Sequence, residues 1–217
     1  MSIRRRFPIN KRHHYLAGQD GFTIIELMIA TSVLSLMLVM VTVMMINIGN
    51  LYYKGISQAR IQDNVRSLTD EIASHLELGD NFFHVTSGSE QAYCIGSVRY
   101  TYILGAQIGT QAGQSPHVLW RDANPTPGSC PSAGLPNLGA ATPSANGTEL
   151  IAPHSRLTNF SITDTAGSSP YTIAVGEAYG DTDLLTGTTG SPHCKGSEGD
   201  QFCATANLTT TVVRRLP

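Results

Sequence analysis

The sequence predicts an α+β chain in which one long N-terminal helix packs on an antiparallel β-sheet. Three observations predict it: an uncharged apolar run near the start, an amphipathic helical stripe after it, and a remainder rich in turn residues and short strand-like runs. At 217 residues there is room for one ordinary domain plus a membrane element. Charged residues make up only 14%, while glycine and proline number 21 and 11, which suits strands and loops better than a helical bundle.

The helix begins with the membrane element. Leu27 to Gly49 runs for 23 residues without a charge or a proline. At about 1.5 Å per residue it is long enough to cross a hydrocarbon core of about 30 Å. Residues 1–21 carry Arg4, Arg5, Arg6, Lys11 and Arg12 against Asp20, and the rest of the chain is net acidic at −6. By the positive-inside bias, residues 1–20 are expected in the cytoplasm and residues 50–217 outside. A basic start before an acidic body argues against a nucleic-acid platform, whose positive charge would lie on the folded part. An ordinary secretory signal has a shorter apolar core with a cleavage site on its far side, and Ala30-Thr31-Ser32 comes too early for that. A signal anchor that stays in place is the plainer alternative.

Past Asn50 the chain turns polar but keeps a helical period. Ile61, Val65, Leu68, Ile72 and Leu76 recur at spacings of three and four, one apolar stripe facing a sheet. Arg60, Asp63, Arg66, Asp70, Glu71 and Glu77 occupy the other side, and Gly79 marks the stop. One helix is therefore expected over about 22–79, with its transmembrane part at 27–49. Strands are expected at Tyr93–Leu104, His117–Arg121, Glu149–Ile151, Leu157–Thr163, Tyr171–Glu177 and Leu208–Arg214, within an outer domain spanning 80–217. The segments 121–147 and 181–203 read as loops.

Glu26 stands out. It is a carboxylate at the mouth of the apolar run, and ionised and unpaired in lipid it would cost several kcal/mol. With its neighbours it forms Gly21-Phe22-Thr23-Ile24-Ile25-Glu26-Leu27-Met28-Ile29-Ala30, which resembles the class III leader junction of type IV pilins and type II secretion pseudopilins. The resemblance implies a pilin-like lollipop fold and a cytoplasmic basic leader, 1–21, cut after Gly21 by a prepilin peptidase/methyltransferase. That enzyme would also methylate the new terminus at Phe22. Glu26, fifth in the mature chain, would then neutralise the terminal amine of a neighbouring subunit. The implied partners are other major and minor pilins, an inner-membrane assembly platform and membrane lipid. The implied location is the cytoplasmic membrane, single-pass with the C-terminal domain outside, and then an extracytoplasmic filament. Ile24-Ile25 replaces a commoner Leu-Ile, and no proline interrupts the apolar run, as one often does in major pilins.

A second resemblance extends further along the chain. Tyr100-Thr101-Tyr102, Val118-Leu119-Trp120-Arg121, Gly147-Thr148-Glu149-Leu150-Ile151, Phe160 and Thr210-Thr211-Val212-Val213-Arg214-Arg215 are similar to minor pilins of the PilW kind and to the J-type minor pseudopilin. It implies a minor subunit that primes or caps a filament, with a tip adhesin or a minor pseudopilin of a type II secretion system as the alternatives.

The remaining chemistry is sparse. Cys94, Cys130, Cys194 and Cys203 all follow the apolar run, where an oxidising compartment favours disulfides. Three connectivities exist. Cys194 and Cys203 are close enough to staple one loop, with Cys94 and Cys130 as the remaining pair; free buried thiols are the alternative. His193-Cys194…Cys203 comes nearest to zinc-ligand spacing without the paired ligands such sites show, and no metal is expected. Asp181 and Asp183 are weak calcium candidates in a late loop that does not match an EF-hand. No nucleophile motif, phosphate loop or carboxylate pair appears, so neither an enzyme nor a cofactor is expected.

Overall fold

The computed structural model describes residues 21–217 except 80, 110, 112, 113, 127, 145, 166, 167, 188–191, 197, 198, 216 and 217. The basic leader, apart from Gly21, lies outside the described residues. Two compact units divide after Ile46. Helix α1 runs from Ile24 to Leu78, and its part in the first unit, up to Ile46, carries no charge besides Glu26 and has no buried side chain. Its hydroxyls bond back to the helix itself: Thr31 to Met28 O at 3.0 Å, Ser32 to Ile29 O at 2.8 Å, Ser35 to Thr31 O at 2.8 Å and Thr42 to Leu38 O at 2.8 Å. Self-satisfied hydroxyls suit a helix in a medium that offers no hydrogen bonds.

The second unit, from Asn47 on, holds the rest of α1 and, among the described residues, twelve strands. All five stripe residues, Ile61 to Leu76, are buried there. They share one core with two five-stranded sheets. The strands are β1 (Phe82–Ser87), β2 (Glu90–Ile95), β3 (Val98–Tyr102), β4 (Gln107–Ile108), β5 (Gln114–Ser115), β6 (Leu119–Ala123), β7 (Thr148–Glu149), β8 (Ser155–Thr165), β9 (Ser168–Tyr179), β10 (Leu185–Thr186), β11 (His193–Cys194) and β12 (Ala204–Val212). The first sheet runs β1-β2-β3-β6-β7 and the second β12-β9-β8-β4-β5, with β10-β11 a separate small hairpin. Pairing is antiparallel except between β4 and β5.

The expected single strand over Tyr93–Leu104 is in fact two. Gly96 takes φ 56° and opens a two-residue turn that pairs Ile95 with Val98. The same Gly-Ser chemistry at Gly88 (φ 65°) joins β2 to β1, a strand the sequence reading did not expect. Positive φ at the first turn position matches the twist of a tight hairpin. The last strand also ends earlier than expected, at Val212. Arg214 Nε then donates to Gly79 O at 2.7 Å and the Arg215 N–H to Glu77 O at 3.2 Å, filling carbonyls that the end of α1 leaves without partners.

The segment expected as the loop 121–147 begins inside β6 and then covers the outer face of the first sheet. There Arg99 holds Asp122 through two bonds, at 2.9 and 2.5 Å, both side chains almost wholly buried. Arg99 also donates to Gly134 O at 3.2 Å, and Leu138 is fully buried beneath the loop. On the inner face Tyr93 stacks on Tyr102 at 5.5 Å and meets Phe160 of the second sheet edge-on at 5.3 Å.

Polar pins tie α1 to both sheets. Tyr100 Oη and Arg121 each donate to Glu71 at 2.9 Å, and Asn64 donates to the Glu177 carboxylate of β9 at 2.6 Å. Burial pushes Glu177 up to about 7, against the pull of the Asn64 amide. An unfolded chain releases that proton near 4.5. Between the two values the native state keeps a proton that the unfolded state has lost, so stability falls as pH rises through that window. Glu177→Gln is expected to exceed the parent in stability by up to about 3 kcal/mol near pH 8 and to match it below pH 4.5. Urea melts of the full chain in micelles at both pH values check this.

Candidate functional site

The candidate site is the start of α1, where Gly21, Phe22 and Glu26 lie. Ile24 opens the helix, and Thr23 sits in the capping position before it. The Thr23 N–H and hydroxyl both donate to Glu26 Oε2, at 3.0 and 2.9 Å, and Thr23 Oγ1 accepts from the Glu26 N–H at 3.3 Å. This is a reciprocal capping box, with an acid at the positive end of the helix dipole. The sequence reading missed it, although Thr-x-x-Glu before an apolar run is its signature.

Phe22 is 89% exposed. A methyl group added at Gly21 would meet nothing within 4 Å, so the chain's own fold makes no demand for glycine there. Between Phe22 and Tyr53 Glu26 is the only charged residue. No cation pairs with it among the described residues. Among the described residues the site therefore comprises a capped carboxylate with no cation paired to it, an exposed Phe22 and a helix long and apolar enough to cross a membrane.

The cysteines lie in the second unit, bonded as Cys94–Cys130 and Cys194–Cys203 with Cα atoms 5.7 and 5.8 Å apart. The first bond fastens the covering loop to β2. The second closes the late segment, which carries β10, β11 and a short 3₁₀ turn, Asp200–Phe202. Asp200 of that turn pairs with Lys54 of α1. Asp181 and Asp183 line a cavity together with Arg156, a cation that disfavours a second one. Among the described residues no three His, Cys, Asp or Glu side chains gather around a common point. His84 stacks on Tyr93 at 4.6 Å, and His117 lies 3.3 Å from Glu149.

Fold and site together define a class: a subunit with an exposed apolar N-terminal helix and an α+β body in pilin-like layout. Residues 16–42 match the family model of the prokaryotic N-terminal methylation motif, which is typical of type IV pilins and pseudopilins. The motif supports a type IV pilin-like or pseudopilin precursor, and the motif family is structural. No curated protein and no solved structure is significantly similar to the chain.

Loss of the cap should loosen the first helical turn without unfolding the body. Thr23→Ala is expected to cost about 1 kcal/mol locally, read as roughly fivefold faster amide exchange at residues 24–27. Exchange in β8 and β9 should stay unchanged.

Proposed function

We propose that the chain is a minor subunit of a type IV pilus or pseudopilus, one that primes or caps the filament. Residues 1–21 are removed after Gly21 by a prepilin peptidase, which also methylates the Phe22 amine. The mature chain waits in the cytoplasmic membrane with residues 50–217 outside, and then joins other pilins through an inner-membrane platform. The observation that carries this reading is Glu26: a lone charge in the apolar segment, held by Thr23 and with no counter-cation among the described residues. Cleavage creates a cationic amine four residues before it, and that amine on one subunit can meet Glu26 on the next. Such a pair in a low-dielectric filament core serves register more than stability.

The minor-subunit reading is supported by where its motif residues fall. Leu119 is fully buried, Tyr100 and Arg121 hold Glu71 of α1, and Arg214 and Arg215 close the end of the same helix. These are the contacts that lock the helix into the body.

Intact-mass analysis of the membrane fraction is expected to give a chain beginning at Phe22 and heavier by one methyl group. Glu26→Ala should still be cleaved but should be lost from sheared filaments, with a drop of at least about tenfold for a lost charge pair. Precursor retaining residues 1–21 in working filaments, or normal incorporation of Glu26→Ala, would overturn the proposal.

A further inference from the structure

We propose that the outer body carries a binding cleft for a neutral, hydroxyl-rich ligand, a short oligosaccharide, between β4, β8 and the turn after β9. The proposal does not depend on the filament reading. The cleft has a volume of about 750 Å³, within the range of small-ligand sites, roughly 300–1,000 Å³. Gln107, Gln111, Gln114, Arg156, Asp181 and Asp183 line it, and no aliphatic or aromatic side chain does among the described residues, apart from the imidazole of His154. The described lining side chains are thus almost all hydrogen-bonding groups, which suits a polar ligand.

The floor is a network of polar side chains and backbone carbonyls. Gln107, almost wholly buried, donates from Nε2 to Asp181 at 3.2 Å, to Gly180 O at 3.4 Å and to His154 O at 3.5 Å. Arg156 donates through one terminal nitrogen to Gln107 Oε1 at 3.1 Å and to Gly180 O and Thr182 Oγ1 at 3.3 Å. Its Nε is buried with no partner among the described residues. Burial lowers Arg156 from the ordinary guanidinium range, and Asp181 pulls it back.

Backbone strain falls at the same place. His154 takes φ 64°, the one non-glycine residue with positive φ among those described, and its carbonyl is part of the network. Strain of this kind costs of order 1–3 kcal/mol and concentrates where a site must be shaped.

The charges select the ligand. Arg156 repels a cation, and Asp181 with Asp183 repels an anion. Amide, guanidinium and hydroxyl donors stand beside carboxylate and amide acceptors. A sugar hydroxyl donates and accepts at once, so it can answer both kinds of partner.

The test uses the full chain in a sugar-free micelle of dodecylphosphocholine. Lactose, maltotriose, cellotriose and chitotriose are offered at millimolar concentration and read by saturation-transfer NMR. At least one should show saturation transfer. Arg156→Ala and Asp181→Asn should each weaken it about tenfold, the scale of one buried hydrogen-bond partner lost. Gln111→Ala, exposed on the rim, keeps the network intact and should weaken binding about threefold, which guards against a merely unfolded variant. Silence from all four sugars, equal binding by all three variants, or binding that follows added calcium and survives Arg156→Ala would each overturn the proposal.

Discussion

Everything in this molecule depends on what covers α1. A helix within a protein draws most of its stability from tertiary packing of its apolar surface rather than from propensity, and this one runs for 55 residues. The second half meets that need within the chain, where Ile61, Val65, Leu68, Ile72 and Leu76 sink into the core shared by both sheets. The first half has no such cover. Its leucines, isoleucines and methionines stand about half exposed or more along the run from Ile24 to Ile48. An apolar surface of that extent, at roughly 25 cal/mol per Å², has to be removed from water by lipid or by other helices.

The body is arranged to hold the helix in one register. Apolar stripes slide, since a leucine one turn along fills a similar hole; directional bonds do not. Gln58 donates to Thr205 O at 2.9 Å, Asn64 to Glu177, and Glu71 receives Tyr100 and Arg121, so α1 is pinned to β12, β9, β3 and β6 in turn. Arg214 and Arg215 then fasten the chain's end to the helix's end. Each neutral bond adds only about 1 kcal/mol, but a one-turn slip would break all of them together and strand Glu177 in the core. The acid under the helix is thus a cost that serves specificity.

The helix was legible from the sequence because its period and its hydropathy run over many residues. Ile61 to Leu76 could be named as the buried face from spacing alone, and the apolar run from composition. The strands were legible where β-branched and aromatic residues cluster, as in β8, β9 and β12, and misread where one glycine decides. Gly96 splits what looks like a single strand, because a turn with positive φ needs only one residue without a Cβ. The covering loop was opaque for a different reason. The cysteine count already offered Cys94 and Cys130 as a pair, but the other fixtures are long-range contacts: the Gly134 carbonyl to Arg99, and Leu138 buried beneath. Nothing local in a run of proline, glycine and serine announces partners thirty residues away. At the site, the acid was conspicuous and its threonine cap was overlooked, since an N-terminal cap looks ordinary next to a charge at a membrane edge.

That cap bears on how the proposed assembly contact can work. A carboxylate offers about four lone-pair positions, and both Thr23 donors converge on one oxygen, Oε2. The other oxygen remains available. A terminal amine from a neighbouring subunit could therefore approach without first dismantling the helix start. The capping box fixes the carboxylate before any partner arrives, so little side-chain freedom is lost when the pair forms. The helix dipole adds a positive field on the same side, holding the charge at the very end of the rod. A flexible glutamate further along α1 would have neither advantage: it would lie deeper in lipid, uncapped, and would have to be ordered and desolvated at the moment of contact. The position three residues into the helix is the one place where the acid can be both tolerated alone and ready for a cation.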